Sequence, residues 1–122
     1  MFGIVDSVGQ SWLTQLRTGL SPLKVHKFNH HFDDTNNPMC LANDGIEDNE
    51  HFLLHCRLFN SIRNDLFQNV SLLLQKNFSN IDNTEAVKIL LYGNNSSNTS
   101  TNNKILTQTI NFIRRSNRFS KT

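Results

Sequence analysis

Apolar residues recur at helical spacing over much of the chain, and the longest such stretch lies between residues 58 and 74. Its apolar stripe advances by four, four, four and three positions through Leu58, Ile62, Leu66, Val70 and Leu73. Phe59 and Phe67 widen the stripe. Since side chains three or four positions apart share one face of an α-helix, the pattern predicts a helix from Leu58 to Leu74 that is buried on that face.

A shorter helix is predicted near the N-terminus, and we expect it to pack against the long helix. Its apolar residues are Trp12, Leu13 and Leu16. Gly19 is suited to end it, because glycine readily takes the left-handed conformation found after helix ends. Ser21-Pro22 is typical of an N-cap followed by proline at the first helical position, which predicts a second helix to about His31.

The middle of the chain is predicted to be a polar loop followed by a short helix. Residues 32–46 are rich in Asp and Asn, and Pro38 restricts the conformation of the residue before it. A helix is then expected from Asp48 to about His55. Three acids are expected in its first turn, where they complement the positive end of the helix dipole: Glu47, Asp48 and Glu50.

Two helices separated by a polar loop are predicted in the C-terminal part. The first spans residues 83–92, and Gly93 ends it. Residues 94–103 contain only Asn, Ser and Thr, which have no apolar surface to bury and therefore indicate a loop. The last helix is expected from Lys104 to about Phe119, with its arginines exposed. Its buried residues are expected to be Leu106, Ile110 and Ile113.

The predicted fold class is all-α, because no alternating strand pattern of useful length occurs. We expect a small bundle of five or six short helices that includes a loop-helix Cys/His motif. A chain of 122 residues is close to the common size of one domain. The expected domain, 1–122, has lead-in helices over 1–31, the Cys/His motif over 32–56 and supporting helices over 57–122.

The net charge of +2 conceals an uneven distribution of acids and bases. Between residues 33 and 50 there are six acids and no Lys or Arg. Between residues 104 and 122 there are five bases and no acid: Lys104, Arg114, Arg115, Arg118 and Lys121. Such separation indicates contacts with charged partners more clearly than the net charge does.

The compartment is predicted from what the sequence lacks. The first residues carry no basic segment followed by a long apolar one, so we expect no signal peptide. No apolar run approaches the roughly 20 residues that a membrane span needs, so no membrane partner is expected. Two cysteines without a disulfide framework suggest a reducing compartment or a metal role. These features favour an intracellular protein of the cytoplasm or nucleus.

Three residues of the central stretch are candidate metal ligands: Cys40, His51 and Cys56. Thiolate and imidazole ligands suit zinc. A Cys-x2-Cys pair would need cysteine at position 43, where the chain has Asn43. On an uninterrupted helix His51 and Cys56 would point about 140° apart, so they can share an ion only if the helix stops before Cys56. The alternative is that both cysteines are small buried side chains and that His51 bonds to a loop carbonyl.

The fourth ligand is not evident from the sequence, and His55 or Asp44 would have to supply it. With at most two thiolates, any zinc affinity is expected to be weak, and the fold is expected to persist without metal. Catalysis is not predicted, because the Cys/His pair has no accompanying oxyanion-hole glycine motif and no phosphate-cradling glycine loop occurs. No other cofactor is expected.

Two blocks of sequence together resemble the C-terminal tail of reverse transcriptase polyproteins from non-LTR (LINE-type) retrotransposons. The first is LTQLRTGLSPL, residues 13–23, and the second is NDGIEDNEHFLLHC, residues 43–56, with Cys40 upstream. They match a Leu-x-x-Leu-Arg-x-Gly signature and a Glu-x-x-x-His-x-Leu-x-x-Cys signature in the same order and separation. The resemblance covers the first half of the chain and is only compositional beyond about Ile62.

The resemblance implies a zinc-knuckle-like, non-catalytic region that follows a polymerase domain and binds nucleic acid. It makes Cys40, His51 and Cys56 the metal positions, and the chain departs from it at Asn43. The implied partners are RNA or single-stranded DNA and the polymerase domain of a parent polyprotein. No polymerase active site is present in this chain, so we expect no enzyme activity.

The final helix gives this interpretation its nucleic-acid contacts, since Arg114, Arg115 and Arg118 would neutralise phosphates. Arginine-rich faces are also common on solvent-exposed helices. The competing interpretation is therefore a structural or protein-interaction helical domain that binds neither nucleic acid nor metal.

Overall fold

The computed structural model describes residues 7–29 and 38–119, and 70% of these residues are helical. This confirms the all-α class. The α-helices are α1 (Ser7–Thr18), α2 (Lys24–Asn29), α3 (Asn60–Leu74), α4 (Asn83–Tyr92) and α5 (Thr99–Ser116). A π-helical turn spans His51–His55, and short 3-10 turns span Arg57–Phe59 and Phe78–Asn80.

Within the described ranges no strand forms, and the only β-bridge joins Met39 to Ile46. No described helix has both the length and the apolar character that crossing a membrane requires. The predicted end of the second helix, about His31, lies outside the described residues.

Helix α5 is the centre of the bundle and packs against α1, α3 and α4. Its buried residues are Ile105, Thr109, Ile110, Phe112 and Ile113. The prediction that α1 packs mainly on the long helix α3 is wrong, because α1 lies chiefly on α5 and α4. Leu13 and Leu16 are fully buried in this interface, and Trp12 is buried beside them.

The predicted start of the last helix at Lys104 is also wrong, since α5 begins at Thr99. The Asn98 side chain accepts a hydrogen bond from the backbone N–H of Thr101 at 2.8 Å. This N-cap satisfies a donor that the helix start would leave unpaired, and it draws a polar Asn/Ser/Thr segment into the helix. The polar loop therefore ends at Asn98 and not at residue 103.

Two helix ends agree with the sequence. At the end of α1, Gly19 has φ +76°, the Leu20 N–H donates to Gln15 at 3.0 Å and the Gly19 N–H donates to Leu16. These two bonds form a Schellman motif, which the left-handed glycine permits. Gly93, with φ +91°, ends α4 at the predicted position.

The apolar stripe of the long helix is buried in its middle and not at its start. Leu66 and Val70 are buried, whereas Leu58, predicted to be buried, is 51% exposed. The reason is that Cys56 has extended backbone and residues 57–59 form a 3-10 turn, so α3 begins only at Asn60. Leu58 therefore points away from the face that the helix spacing assigns to it.

An aromatic cluster joins the π-helical turn to α5. The Phe52 ring centroid lies 5.3 Å from that of Phe112, 5.5 Å from that of Phe59 and 5.8 Å from that of Phe119. Trp12 adds an edge contact to Phe119 at 6.4 Å. This packing fixes the position of the turn that carries His51.

Candidate metal centre

A tight turn after Pro38 places Cys40 and Asp44 on the same side of the loop. The Asn43 N–H donates to the Cys40 carbonyl at 2.9 Å, and the Cys40 N–H donates to the Gly45 carbonyl at 3.0 Å. Asn43 takes the left-handed conformation, with φ +58°, which Asn tolerates better than most residues. Beyond this reversal the side chain of Asp44, one residue after the position that a Cys-x2-Cys motif would use, lies next to Cys40.

The helix that carries His51 widens into a π turn and stops at Cys56. The Cys56 N–H donates to the His51 carbonyl at 2.7 Å, and Cys56 itself has ψ 122°. This bond joins residues i+5 and i, as in a π-helix. It brings residues five positions apart closer to the same face than an α-helix does. The required helix break before Cys56 is therefore confirmed. At the other end, Asp48 accepts the backbone N–H of His51 at 2.8 Å and acts as the N-cap.

Four side chains converge between the loop and the turn, and all their ligand atoms lie within 4.8 Å of one another: Cys40, Asp44, His51 and Cys56. Asp44 Oδ1 lies 2.9 Å from Cys40 Sγ and 3.0 Å from His51 Nε2. The two sulfur atoms are 4.0 Å apart. Ligand atoms on a tetrahedral zinc ion are separated by roughly 3.3–3.8 Å, so this group could hold a metal ion with small adjustments.

Hydrogen bonds and burial set the ionisation of this group without metal. The hydrogen bond from the Cys40 thiol is the largest of the effects that lower the pKa of Asp44 to about 2. Burial raises the pKa of the Cys56 thiol to about 11, and the neighbouring Cys40 adds to this rise. At neutral pH the group therefore offers a charged carboxylate, and a metal ion must displace the proton from Cys56 to bind it.

The structure brings the three predicted ligands together and supplies the fourth from Asp44. The other residue considered for that position, His55, faces away from the cluster. Its Nε2 lies 3.0 Å from Glu50 Oε2, and both side chains are nearly half exposed.

Arg63 is the residue near this site that sequence reasoning missed. It is 4% exposed, and it donates from Nε to the Leu53 carbonyl at 3.0 Å and from Nη2 to the Phe52 carbonyl at 3.0 Å. Its Nη1 donates to the Cys56 carbonyl at 2.8 Å. The sequence did contain a signal that Arg63 is buried. Arg63 lies three positions before Leu66 and therefore shares the buried face of α3.

The three C-terminal arginines fall into two environments. Arg114 and Arg115 are exposed, Arg115 pairs with Asp65 at 2.9 Å, and the Arg114 guanidinium lies 5.2 Å from the Trp12 ring centroid. The prediction of an exposed arginine is wrong for Arg118, which forms an ion pair with buried Glu47.

Glu47 is also the acid whose predicted place was wrong. It precedes the helix, and its Oε1 accepts the backbone N–H of Lys24 at the start of α2, at 2.8 Å. The reason is that Asp48 already caps the next helix, which leaves Glu47 free to turn towards α2 and the end of α5.

No protein-family model, no curated protein and no solved structure matches this chain.

Proposed function

We propose that this chain is a non-catalytic helical module that holds a structural Zn²⁺ through Cys40, Asp44, His51 and Cys56. The observation that carries the proposal is the convergence of these four ligand atoms within 4.8 Å. Two sulfurs and an imidazole favour zinc over magnesium or calcium, which prefer oxygen ligands. The ion would join the loop that carries Cys40 to the turn that carries His51.

The affinity is expected to be lower than that of a cysteine-rich site, because the fourth ligand is a carboxylate. Asp44→Cys should therefore raise zinc affinity, whereas Asp44→Ala should lower it by at least about tenfold. Asp65→Ala is the matched control, since Asp65 is an exposed carboxylate on α3. Asp44 faces the cluster, so we choose this position for the added thiolate in preference to Asn43.

The experiment is a zinc determination on the purified chain, followed by Co²⁺ titration with the absorption spectrum as readout. One equivalent of metal, a thiolate-to-Co²⁺ charge-transfer band and a lower Co²⁺ affinity in Asp44→Ala would support the proposal. A wild-type chain that binds neither Zn²⁺ nor Co²⁺ would overturn it.

Single-stranded nucleic acid is a second candidate ligand, favoured by a groove between α3 and α5. The groove has a volume of about 330 Å³, and both Arg114 and Arg115 line it. Its polar lining also includes the side-chain amides Asn69, Gln108 and Asn111. Arginine and amide groups are common partners of phosphates and bases. The resemblance to a retrotransposon reverse transcriptase tail supports the same ligand class and makes the parent polymerase domain a further partner.

Titration with single-stranded RNA and DNA at two salt concentrations tests this second function. Phosphate contacts release counterions, so the affinity must fall as salt rises. Absence of binding at low salt would instead favour a structural or protein-interaction module.

A further inference from the structure

The hydrogen bonds of Arg63 converge on the segment that carries two of the proposed metal ligands. Three of its bonds end on carbonyls of residues 52, 53 and 56, within or directly after the π turn. A fourth ends on the Asn60 side chain, at 2.9 Å. Carbonyls near the end of a helix lack partners in the helix itself, and here a guanidinium supplies them. The backbone carbonyl of Cys56 is thereby held by the Arg63 guanidinium.

Arg63 is also a buried charge without a carboxylate partner among its described hydrogen bonds. Its guanidinium lies 5.7 Å from the Phe112 ring centroid. Burial lowers the pKa of Arg63 by disfavouring its charged form. A buried charge is costly unless other charges or hydrogen bonds compensate it.

The metal-loaded centre would carry a negative charge beside the Arg63 guanidinium. Two thiolates and one carboxylate around a divalent ion leave the centre with one net negative charge. Arg57 lies 3.9 Å from Asp44 Oδ2, but its side chain is exposed and therefore screened by water. Arg63 is the buried cation beside the cluster.

We propose that Arg63 is a positioning residue of the metal centre: it holds the π turn so that His51 and Cys56 face one ion, and it offsets the charge of the loaded site. This inference rests on the proposed zinc function. It adds a role for a residue that contacts no metal ion itself. Substitutions of such supporting groups typically lower metal affinity by about 10- to 100-fold.

The test is a Co²⁺ titration of the full chain carrying Arg63→Met or Arg63→Lys, with helicity followed by circular dichroism. Arg63→Met keeps apolar bulk and removes the charge, and we expect an affinity about 10- to 100-fold lower with a changed Co²⁺ d–d spectrum. Arg63→Lys restores the charge without the planar fork, so it should recover part of the affinity. Lys88→Met is the control, because Lys88 is an exposed base on α4 away from the cluster, and it should bind Co²⁺ as the wild type does.

Asn60→Ala keeps the test decisive if both Arg63 variants fail to fold. It leaves the core intact and removes one acceptor of the guanidinium, so we expect a smaller loss of affinity in the same direction. If Arg63→Met folds and binds Co²⁺ with wild-type affinity and spectrum, the positioning role of Arg63 is overturned and the proposed zinc function stands. If neither Arg63 variant folds, wild-type affinity and spectrum in Asn60→Ala would also overturn it. A wild-type chain that binds no Co²⁺ would overturn the proposed function, and this inference with it.

Discussion

Glu47 and Arg118, 71 residues apart in the chain, form an ion pair in which the glutamate side chain is 2% exposed and the arginine side chain 18%. Arg118 Nε donates to Oε2 at 2.7 Å, and Nη2 donates to Oε1. The Glu47 backbone N–H also donates to the Pro38 carbonyl at 2.8 Å. The pair therefore fastens the segment after α5 to the base of the loop that carries Cys40.

Removing one partner of this pair should destabilise the protein strongly. Arg118→Ala leaves the Glu47 carboxylate buried without its cation, and breaking a buried pair in this way typically costs about 3–5 kcal/mol. Urea unfolding followed by circular dichroism measures the loss. A loss below about 1 kcal/mol would show that Glu47 finds another partner or reaches water.

Arg115→Ala is the matched control for that variant. Arg115 and Asp65 form an ion pair of similar length, but their side chains are 51% and 55% exposed. Exposed pairs contribute at most about 1 kcal/mol, so this substitution should change the free energy of unfolding little. If both variants lost the same free energy of unfolding, burial of the Glu47–Arg118 pair would not be the cause of the loss.

Gly45→Ala should weaken metal binding by displacing His51. A Cβ atom at position 45 would lie 2.8 Å from His51 Cε1 and 2.9 Å from His51 Nδ1, closer than carbon and nitrogen atoms pack. The imidazole must therefore shift from the position in which it lies 3.0 Å from Asp44. We expect Co²⁺ affinity to fall by about tenfold or more, a size typical of disturbed ligand orientation.

Gly19→Ala separates this effect from a general loss of stability. Gly19 has φ +76° but open space where a methyl group would lie, and it follows the end of α1, outside the cluster. An alanine there is strained by its left-handed backbone and should cost about 1–2 kcal/mol of stability. Its Co²⁺ affinity under folding conditions should stay at the wild-type value. A parallel fall in both variants would mean that Gly45 acts through stability alone.

The metal-free protein should lose stability as the pH rises from about 9 to 11. Cys56 has a pKa of about 11 in the folded state against an ordinary value of 9.0. Between these values the unfolded chain has released the thiol proton and the folded chain retains it, so rising pH favours unfolding. Denaturant unfolding with chelator present, measured across this range, should show the decline, and Cys56→Ala should flatten it. A decline of equal size in Cys56→Ala would assign it to other groups.

Local signals predicted the helices well, because they act over a few residues. Gly19 and Gly93 end α1 and α4 where the sequence indicated, and the aromatic and leucine positions of the π turn are buried. The start of α5 was wrong because one cap at Asn98 outweighs the polar composition that follows it. Composition describes the average preference of a segment, whereas a cap acts on individual backbone donors.

The candidate site was only partly accessible from sequence. Cys40, His51 and Cys56 were identified by their chemistry, but the choice of Asp44 over His55 depends on the left-handed turn at Asn43 and on the π turn. The π turn also receives hydrogen bonds from Arg63, which lies on a different helix. Arg63 illustrates the same limit. A charged residue on an apolar stripe indicates that its side chain is buried, but the sequence does not identify the carbonyls to which it donates hydrogen bonds.

The nucleic-acid proposal predicts a specific change in salt dependence. Replacing both Arg114 and Arg115 with Ser should flatten the log–log dependence of single-strand affinity on salt by about 0.7 for each phosphate that is no longer neutralised, and so by about 1.4 in total. Asp65→Asn should instead make this salt dependence steeper. The substitution removes a carboxylate from the groove and releases Arg115 from its ion pair.

Lys88→Ser provides the control, since Lys88 is an exposed base on α4 and does not line the groove. Fluorescence anisotropy with a labelled oligonucleotide at several salt concentrations gives the slope for each variant. Arg118 is excluded from the comparison because its ion pair with Glu47 makes its loss a stability effect. If the slope of the double variant equals that of the wild type, Arg114 and Arg115 contact solvent or a partner protein, and the groove does not bind phosphates.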